Sequence, residues 1–512
     1  MTTTKVSKLT LPTIALSLMT VMSAVAGLNM ALPAIAIDTE ATQTELTWIV
    51  DSYTVIFAGL LLLAGAIGDK FGRQRIMLFG LGMFAIGAAV GFFQTDPEGL
   101  IMARVIMGIG AAAIMPSTLS VITTSFPPEE RGKAIGVWVG VAGGGAVLGL
   151  FATALLLEWY EWNSFFALNF TLAVISFLGT LRVPDSREGK TKLDWIGGLL
   201  SVVAIGGLVF GIIEGPEQGW DSVESISGLV AGVLGLVLFV IWEMNTKNPL
   251  LDPRLFTLRG FSSGSLSITI QFFAQFGFIF VGMQYLQFVA GFTPLEAAMH
   301  LLWMPLVMLP GSRLAGALSK KVPQKILGSI GLAIFGYAMF HFSALPIEFD
   351  YWYFTAGILM FGTGLALSAT PATVAITSAL PQEKQGVASA VNDTAREVGA
   401  ALGIAILGAS MTDSYKAEME LATDGLPAEI AEKLQSSVAF TQMDAPAPLA
   451  MLWDDLVQSG LEAFTLGVQS SLTIAGWVAI AGAVLVALIA PNKVSEIEGA
   501  SKAKATNKSK RK

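Results

Sequence analysis

Asp393, Arg396 and Glu397 stand three and four positions apart inside an apolar run, a spacing that places all three on one face of a helix. A carboxylate released from Arg396 when it takes up a proton would work as a coupling switch. A permanent ion pair that fixes the helix is the other reading. Asp51 follows Trp48 by three residues and precedes Tyr53 by two. A carboxylate among aromatic rings attracts a lipophilic cation through charge and ring faces and can exchange protons, and a plain solvated acid near the membrane interface is the alternative. Arg104 is a guanidinium within an apolar helix, expensive unless paired or wet, which a fixed bond between helices would satisfy.

These groups need a membrane scaffold to hold them. The chain has 512 residues, 54% of them hydrophobic and 13% charged, with a mean hydropathy of +0.67. No soluble domain of this size carries so apolar a surface. Windows of about 20 apolar residues, the length that spans roughly 30 Å of hydrocarbon as helix, predict about fourteen spans. They begin near Leu11, Thr47, Ile76, Leu100, Ala134, Asn163, Trp195, Ile226, Ser263, Ala297, Lys325, Trp352, Ala388 and Thr465.

Short loops rich in Lys and Arg stay cytosolic. Loops with Lys70, Arg73 and Arg75, with Arg131 and Lys133, with Arg182, Arg187, Lys190 and Lys192, with Lys247, Arg254 and Arg259, with Lys320, Lys321 and Lys325, and with Lys384 alternate with short loops that carry only acids, such as Asp38, Glu45, Asp96 and Glu158, and only Lys416 and Lys433, in the long loop before the last span, fall outside the pattern. Both termini are therefore expected in the cytosol. The apolar stretch before Ala31–Ala36 is too long for a secretion-signal core. The basic tail reads as a topology anchor or as a contact for anionic inner-leaflet lipid.

Two echoes divide the chain. LAGAIGDK at Leu63–Lys70 returns as LAGALSKK at Leu314–Lys321, 251 positions on, and PPEERGKA at Pro127–Ala134 returns as PQEKQGVA at Pro381–Ala388, 254 positions on. Repeated halves of one orientation imply two bundles about a central path, a transporter plan. The expected layout is a cytosolic tail 1–10, a six-helix bundle 11–182, an inserted helix pair with cytosolic linkers 183–260, a second six-helix bundle 261–490 with a long outer loop 411–460, and a basic tail 491–512. Within that loop, LPAEIAEKLQSSV has helical periodicity. It is expected as a short helical cap or hairpin.

Gly65, Gly68, Asp69, Gly72, Arg73 and Arg75 lie where a span meets the cytosol and a tight turn must follow. Glycine permits the turn and close helix approach, while Asp69 can accept from a helix N-terminus or a basic partner. Positive-inside anchoring with a glycine turn is the plainer reading. These residues resemble the loop motif of the major facilitator superfamily, G-x-x-x-D-(R/K)-x-G-R-(R/K). Arg104–Pro116 resembles that family's fourth-helix motif, and WIVDSY at Trp48–Tyr53 resembles the fourteen-span drug:proton antiporters, as do Asn248–Phe256 and Val391–Gly403.

The resemblance implies an all-α major facilitator fold of two six-helix bundles plus an inserted pair. It further implies a loop that stabilises one access state and an Arg104 that assists proton movement. Export of lipophilic or cationic compounds by proton antiport follows, with a lipid or envelope-precursor exporter or an uncoupled facilitator as the alternative. Two departures stand out. Ala24 occupies the place of an acid in the first span, ahead of Asn29, and the usual Gly-Pro of the fifth span reads Gly149-Leu150.

Trp48, Tyr53, Trp138, Phe276, Tyr285 and Trp303 are the candidate walls of a substrate cavity, with Met115, Phe272, Phe273, Gln275 and Gln284 beside them. Aromatic and Met side chains suit varied hydrophobic substrates, although ordinary packing or lipid contact uses the same residues. His300 is a candidate titrating group or interfacial filler. With no cysteine and two histidines, neither a disulfide framework nor a metal site is expected, and no cofactor is. No span carries a nucleophile and base at workable spacing, so an enzyme is not expected. A receptor or scaffold is the reading from another class. The net charge of -8 comes mostly from outward acids, without nucleic-acid meaning. The expected partners are small lipophilic or cationic molecules, protons and membrane lipid, for a monomer in a bacterial plasma membrane.

Overall fold

The computed structural model describes residues 9–126, 128–186, 193–319, 321–380, 385–443, 445 and 450–492. The second echo lies partly outside them, as do Arg187, Lys190, Lys192, Lys320, Lys384, Pro446, Pro448 and the basic tail. Every regular element among the described residues is helical, and the all-helical membrane fold expected from composition is what is observed.

The first span is broken. Helix α1 (Thr10–Ala26) and α2 (Leu28–Thr39) meet at Gly27 with a bend of 45°. Helix α3 (Gln43–Phe71) starts from a capping box, in which the Thr42 side chain accepts from the Glu45 N–H and the Glu45 carboxylate accepts from the Thr42 N–H. There follow α4 (Arg73–Phe92), α5 (Pro97–Ser125) with an Asp96 cap, α6 (Pro128–Leu156), α7 (Ser164–Thr180), α8 (Trp195–Gln218) with an Asp194 cap, and α9 (Val223–Asn245) with a Ser222 cap. Further along are α10 (Arg259–Gln284), α11 (Pro294–His300), α12 (Trp303–Leu318), α13 (Gln324–Phe342), α14 (Tyr351–Ser378), α15 (Gln385–Ala422), α16 (Ala428–Ser436) and α17 (Trp453–Ile489).

Eleven described helical spans are long and apolar enough to cross a membrane, or twelve with the bent α1–α2 pair counted as one. The remaining two expected spans coincide with α7 and α6. Helix α7 and the Gly145–Leu156 part of α6 are shorter apolar helices.

The chain forms two compact units, Met1–Leu250 with Phe292–Ala298, and Leu251–Gly291 with Met299–Lys512. In the first, α4 packs on α5 and α7, α3 on α5, and α1 on α5, α6 and α7. In the second, α13 packs on α14 and α17, α12 on α14, and α10 on α14, α15 and α17. These are the same pairings under the repeat. Individual contacts repeat as well. A Cβ on Gly110 would stand 2.6 Å from the Gly80 carbonyl and 2.7 Å from the Phe84 nitrogen, while one on Gly364 would stand 2.8 Å from the Gly331 carbonyl and 2.5 Å from the Phe335 nitrogen. Gly149 against Ser23 has its counterpart in Gly403 against Phe273. Each pair of counterparts is separated by 250 to 254 positions. The duplication written in the sequence thus extends to backbone-to-backbone packing.

The expected inserted pair, α8 and α9, groups with the first unit. Gly59 of α3 rides on Val202, Gly198 of α8 on Leu63 of α3, and α9 packs on α8 through Gly207 and Gly232.

The expected loop 411–460 is shorter than its polar composition suggests. Helix α15 runs on to Ala422 because Lys416–Ala422 holds no helix breaker, and because Met411, Tyr415 and Met419, one turn apart, are all buried. Helix α16 fulfils the helical part of that expectation. At 38 and 37 residues, α15 and α17 are each about 56 Å long, well beyond the roughly 30 Å of hydrocarbon.

Candidate functional site

In the first unit the site is built where three helices cross. The break at Gly27 frees carbonyls at the end of α1. The Asn29 amide donates to those of Val25 at 3.5 Å and Ala26 at 3.2 Å. Arg104, which points from α5 and is wholly inaccessible, takes the next one. Its Nη1 donates to the Ala24 carbonyl at 3.2 Å, its Nε to that of Ile49 at 3.0 Å, and its Nη2 to that of Val50 at 3.3 Å. The guanidinium also lies over the Tyr53 ring, 4.1 Å from its centroid. A buried charge is thereby met by backbone dipoles and a ring face.

Asp51 follows directly on the two α3 carbonyls that Arg104 holds. It is wholly inaccessible, and neither carboxyl oxygen has a hydrogen-bond partner among the described residues. Arg104 is close enough to act on it electrostatically, although it donates to carbonyls instead. The plain solvated acid, the alternative reading of Asp51, is therefore not what the structure holds, and the carboxyl is sealed from a cation in this state. Helix α3 buries this face against α5.

In the second unit, Asp393 and Glu397 are 6% and 5% exposed on α15, one turn apart. The Arg396 Nη1 lies 3.9 Å from Asp393 Oδ1, and its guanidinium lies over the Phe272 ring of α10 at 4.6 Å. Phe272 in turn stacks on Phe276 at 5.7 Å between centroids. One Glu397 oxygen is buried without a partner. The expected grouping of three charges is present, with the cation shared between a carboxylate and an aromatic stack.

The loop motif sits in the first unit. Gly65 and Gly68 lie within α3 and face α5, where a Cβ on Gly65 would stand 3.5 Å from Pro116 and one on Gly68 would stand 3.6 Å from Ser117. Only Gly72 makes the turn, at φ +116°. Asp69 accepts from Arg73 Nε at 2.9 Å and Nη2 at 2.7 Å. The turn is latched to the end of α7 and the segment after it. The Arg73 N–H donates to the Ser186 carbonyl at 3.0 Å, Gln74 Nε2 to that of Thr180 at 2.9 Å, and Arg75 lies 3.6 Å from the Asp185 carboxylate.

The six candidate cavity residues are spread over both units. Trp48 donates to Glu214 Oε1 of α8 at 2.8 Å and lies 5.9 Å from the Phe210 ring. Tyr53 has no accessible surface and donates to the Val21 carbonyl at 3.3 Å. Trp138 is 6% exposed and donates to Thr118 Oγ1 at 2.9 Å. Phe276 belongs to the stack beneath Arg396. Tyr285 has no accessible surface and donates to the Pro346 carbonyl at 2.5 Å. Trp303 is exposed and donates to the Tyr351 hydroxyl at 2.9 Å.

Tyr53 and Tyr285 thus present nothing to a substrate here, and Trp48 seats the inserted pair. Glu214 and the buried Gln271, which donates to Ser267 Oγ at 2.8 Å, escaped sequence reading. A polar side chain inside an apolar run was the available signal for both. His300 meets Phe349, Tyr351 and Phe354 edge-on at 5.0, 5.7 and 6.1 Å. Among the described residues, no group of three or more His, Asp or Glu side chains is placed to hold a metal ion.

Comparison with known proteins places this architecture. The description "Major Facilitator Superfamily" matches residues 14–404. The chain is 32% identical over 402 residues to the multidrug resistance protein Stp of Mycobacterium tuberculosis, covering 77% of this chain and 73% of that protein. It is 31% identical over 417 residues to the methyl viologen resistance protein SmvA of Salmonella typhimurium, covering 80% and 83%. Among solved structures, a bacterial homologue of the human lysosomal transporter Spinster superposes with a TM-score of 0.61 at 17% identity, over 94% of this chain and 98% of that one.

Proposed function

The chain belongs to the major facilitator superfamily, and we propose that this multi-pass membrane transporter exports lipophilic, often cationic compounds against an inward flow of protons by alternating access. The resistance proteins it resembles support export, and methyl viologen, in the name of one of them, is a small organic dication. Fourteen spans, cytosolic termini, a monomeric state and a bacterial plasma membrane complete the reading. The alternation of basic and acidic loops supports the orientation.

Asp51 is the observation that carries proton coupling. A buried carboxyl that no protein donor satisfies is stable only while it holds a proton or meets water. A change in access at α3 would therefore change its proton occupancy. Asp393 and Glu397 offer a second station, with Arg396 as counter-charge. The test is accumulation of an ethidium-class dye by everted vesicles. Asp51→Asn and Asp393→Asn should lose gradient-driven accumulation. If both variants follow the parent with the gradient intact and after its collapse, proton antiport by these groups is wrong.

A lipid or envelope-precursor exporter is the second reading, and Ala24 favours it. The group that receives Arg104 in the first span is a backbone carbonyl, where a carboxylate would bind a cation or a proton. On that reading, deletion alters envelope lipids and leaves drug tolerance unchanged.

A further inference from the structure

Arg313 interrupts an otherwise apolar helix face. On α12 the exposed positions recur as Trp303, Leu306, Leu309 and Pro310, Arg313 and Leu314, then Ala317, a stripe of helical period. Arg313 makes no hydrogen bond or ion pair with any described residue, unlike Arg104, Arg73 and Arg396. It stands five residues before Leu318, where α12 ends, which is about 7.5 Å along the axis.

The span Pro294–Leu318 has 25 residues, roughly 37 Å of helix, and so overhangs about 30 Å of hydrocarbon by a few ångströms at each end. Arg313 thus falls just inside the hydrocarbon edge. There a guanidinium is retained where an anion comes to it, its stem reaches the headgroups or water reaches it. In the turn that follows, Lys321 is exposed and adds a second positive charge. At the matching place in the first unit, 251 positions earlier, stands Leu62, so the cation belongs to the second copy alone.

We infer that Arg313, with Lys321, binds the phosphate of an anionic phospholipid whose acyl chains lie along the leucine stripe of α12. Charge complementarity and the apolar face on either side of Arg313 select this occupant. Guanidinium takes a phosphate by two parallel N–H bonds, and exposed leucines on either side suit acyl chains and repel a solvated anion. The headgroup would be that of the cytosolic leaflet, which rests on the orientation proposed above.

The test is native mass spectrometry of the purified protein after exchange into phosphatidylcholine–phosphatidylglycerol mixtures, comparing the parent with Arg313→Gln and Arg313→Lys. Losing one cation near the surface should weaken phosphatidylglycerol retention about fivefold, and Arg313→Lys should keep most of it. Equal retention by parent and Arg313→Gln overturns the inference, as does a parent that does not prefer phosphatidylglycerol to phosphatidylcholine. Displacement of the lipid by inorganic phosphate would instead mark a free-anion site, and overturns the lipid assignment. Orientation is read separately. Lys321→Cys in this cysteine-free chain should react with an impermeant maleimide only in everted vesicles. Reaction in intact cells would sink the topology and leave the retention result standing.

Discussion

Arg104 donates to the carbonyl oxygen of Ala24 at 3.2 Å, so a cation on α5 is seated on the last turn of α1, just before the chain bends by 45°. The same guanidinium holds two α3 carbonyls. Three helices are fixed to one another by a single side chain at the point where the first span has lost its own hydrogen-bond ladder.

That arrangement predicts a loss of stability on Arg104→Ala of about 1–2 kcal/mol, since intramembrane hydrogen bonds each contribute well under 2 kcal/mol. Arg104→Lys should rescue little, because one ammonium cannot span carbonyls on two helices. Thermal unfolding in detergent measures both, and full rescue by Lys would show that charge alone matters.

Asp51→Asn should leave the unfolding temperature unchanged or slightly raised, because the amide replaces a carboxyl that has no partner to lose. Dye transport should lose its response to the proton gradient. A variant that is destabilised but still gradient-driven would assign Asp51 to packing.

Arg396→Ala leaves Asp393 and Glu397 buried without their cation. We expect a cost of roughly 2–3 kcal/mol, below that of a fully sealed pair because the Arg396 side chain keeps 18% of its exposure. Adding Asp393→Asn and Glu397→Gln should restore most of it. No recovery in the triple variant would mean that Arg396 stabilises chiefly through its place over Phe272.

Gly72→Ala meets two obstacles. The φ of +116° strains any L side chain, at about 1–3 kcal/mol, and the new Cβ would stand 2.6 Å from the Asp185 carboxylate. Asp185→Ala in the same chain should relieve the second and not the first. Complete recovery in the double variant would show that the turn itself carries no strain.

Gly110→Ala and Gly364→Ala should each destabilise by about 1–3 kcal/mol, since both add a methyl where backbones touch. Unfolding curves for the pair test the duplication energetically. A large effect in one copy and none in the other would confine the equivalence to geometry.

Much of this was legible in the residues. The echo of Leu63–Lys70 in Leu314–Lys321 announces the repeat, and the Asp393, Arg396, Glu397 spacing places three charges on one face. What escaped depends on neighbours that no local pattern names. Whether Asp51 is wet or sealed is decided by how closely α5 packs on α3. Trp48 reads as a binding aromatic, yet its partner Glu214 lies 166 positions away. The break at Gly27 interrupts a largely apolar run long enough to span as one helix, and Gly27, Asn29 and Pro33 hint at it without fixing where it falls. Polar composition hid the extension of α15 to Ala422, because one buried edge, Met411, Tyr415 and Met419, is enough to keep a helix going. Arg313 was visible as a lone charge, but its place in an exposed leucine stripe was not.

The overlong α15 and α17 give the molecule a handle. Their projecting turns are braced by the Tyr415 hydroxyl, which donates to the Leu434 carbonyl at 2.7 Å, and by its ring, which lies 6.2 Å from that of Phe464. A spin label or a synthetic binder fixed to α16 would consequently report the tilt of the helices beneath it, with little wobble of its own.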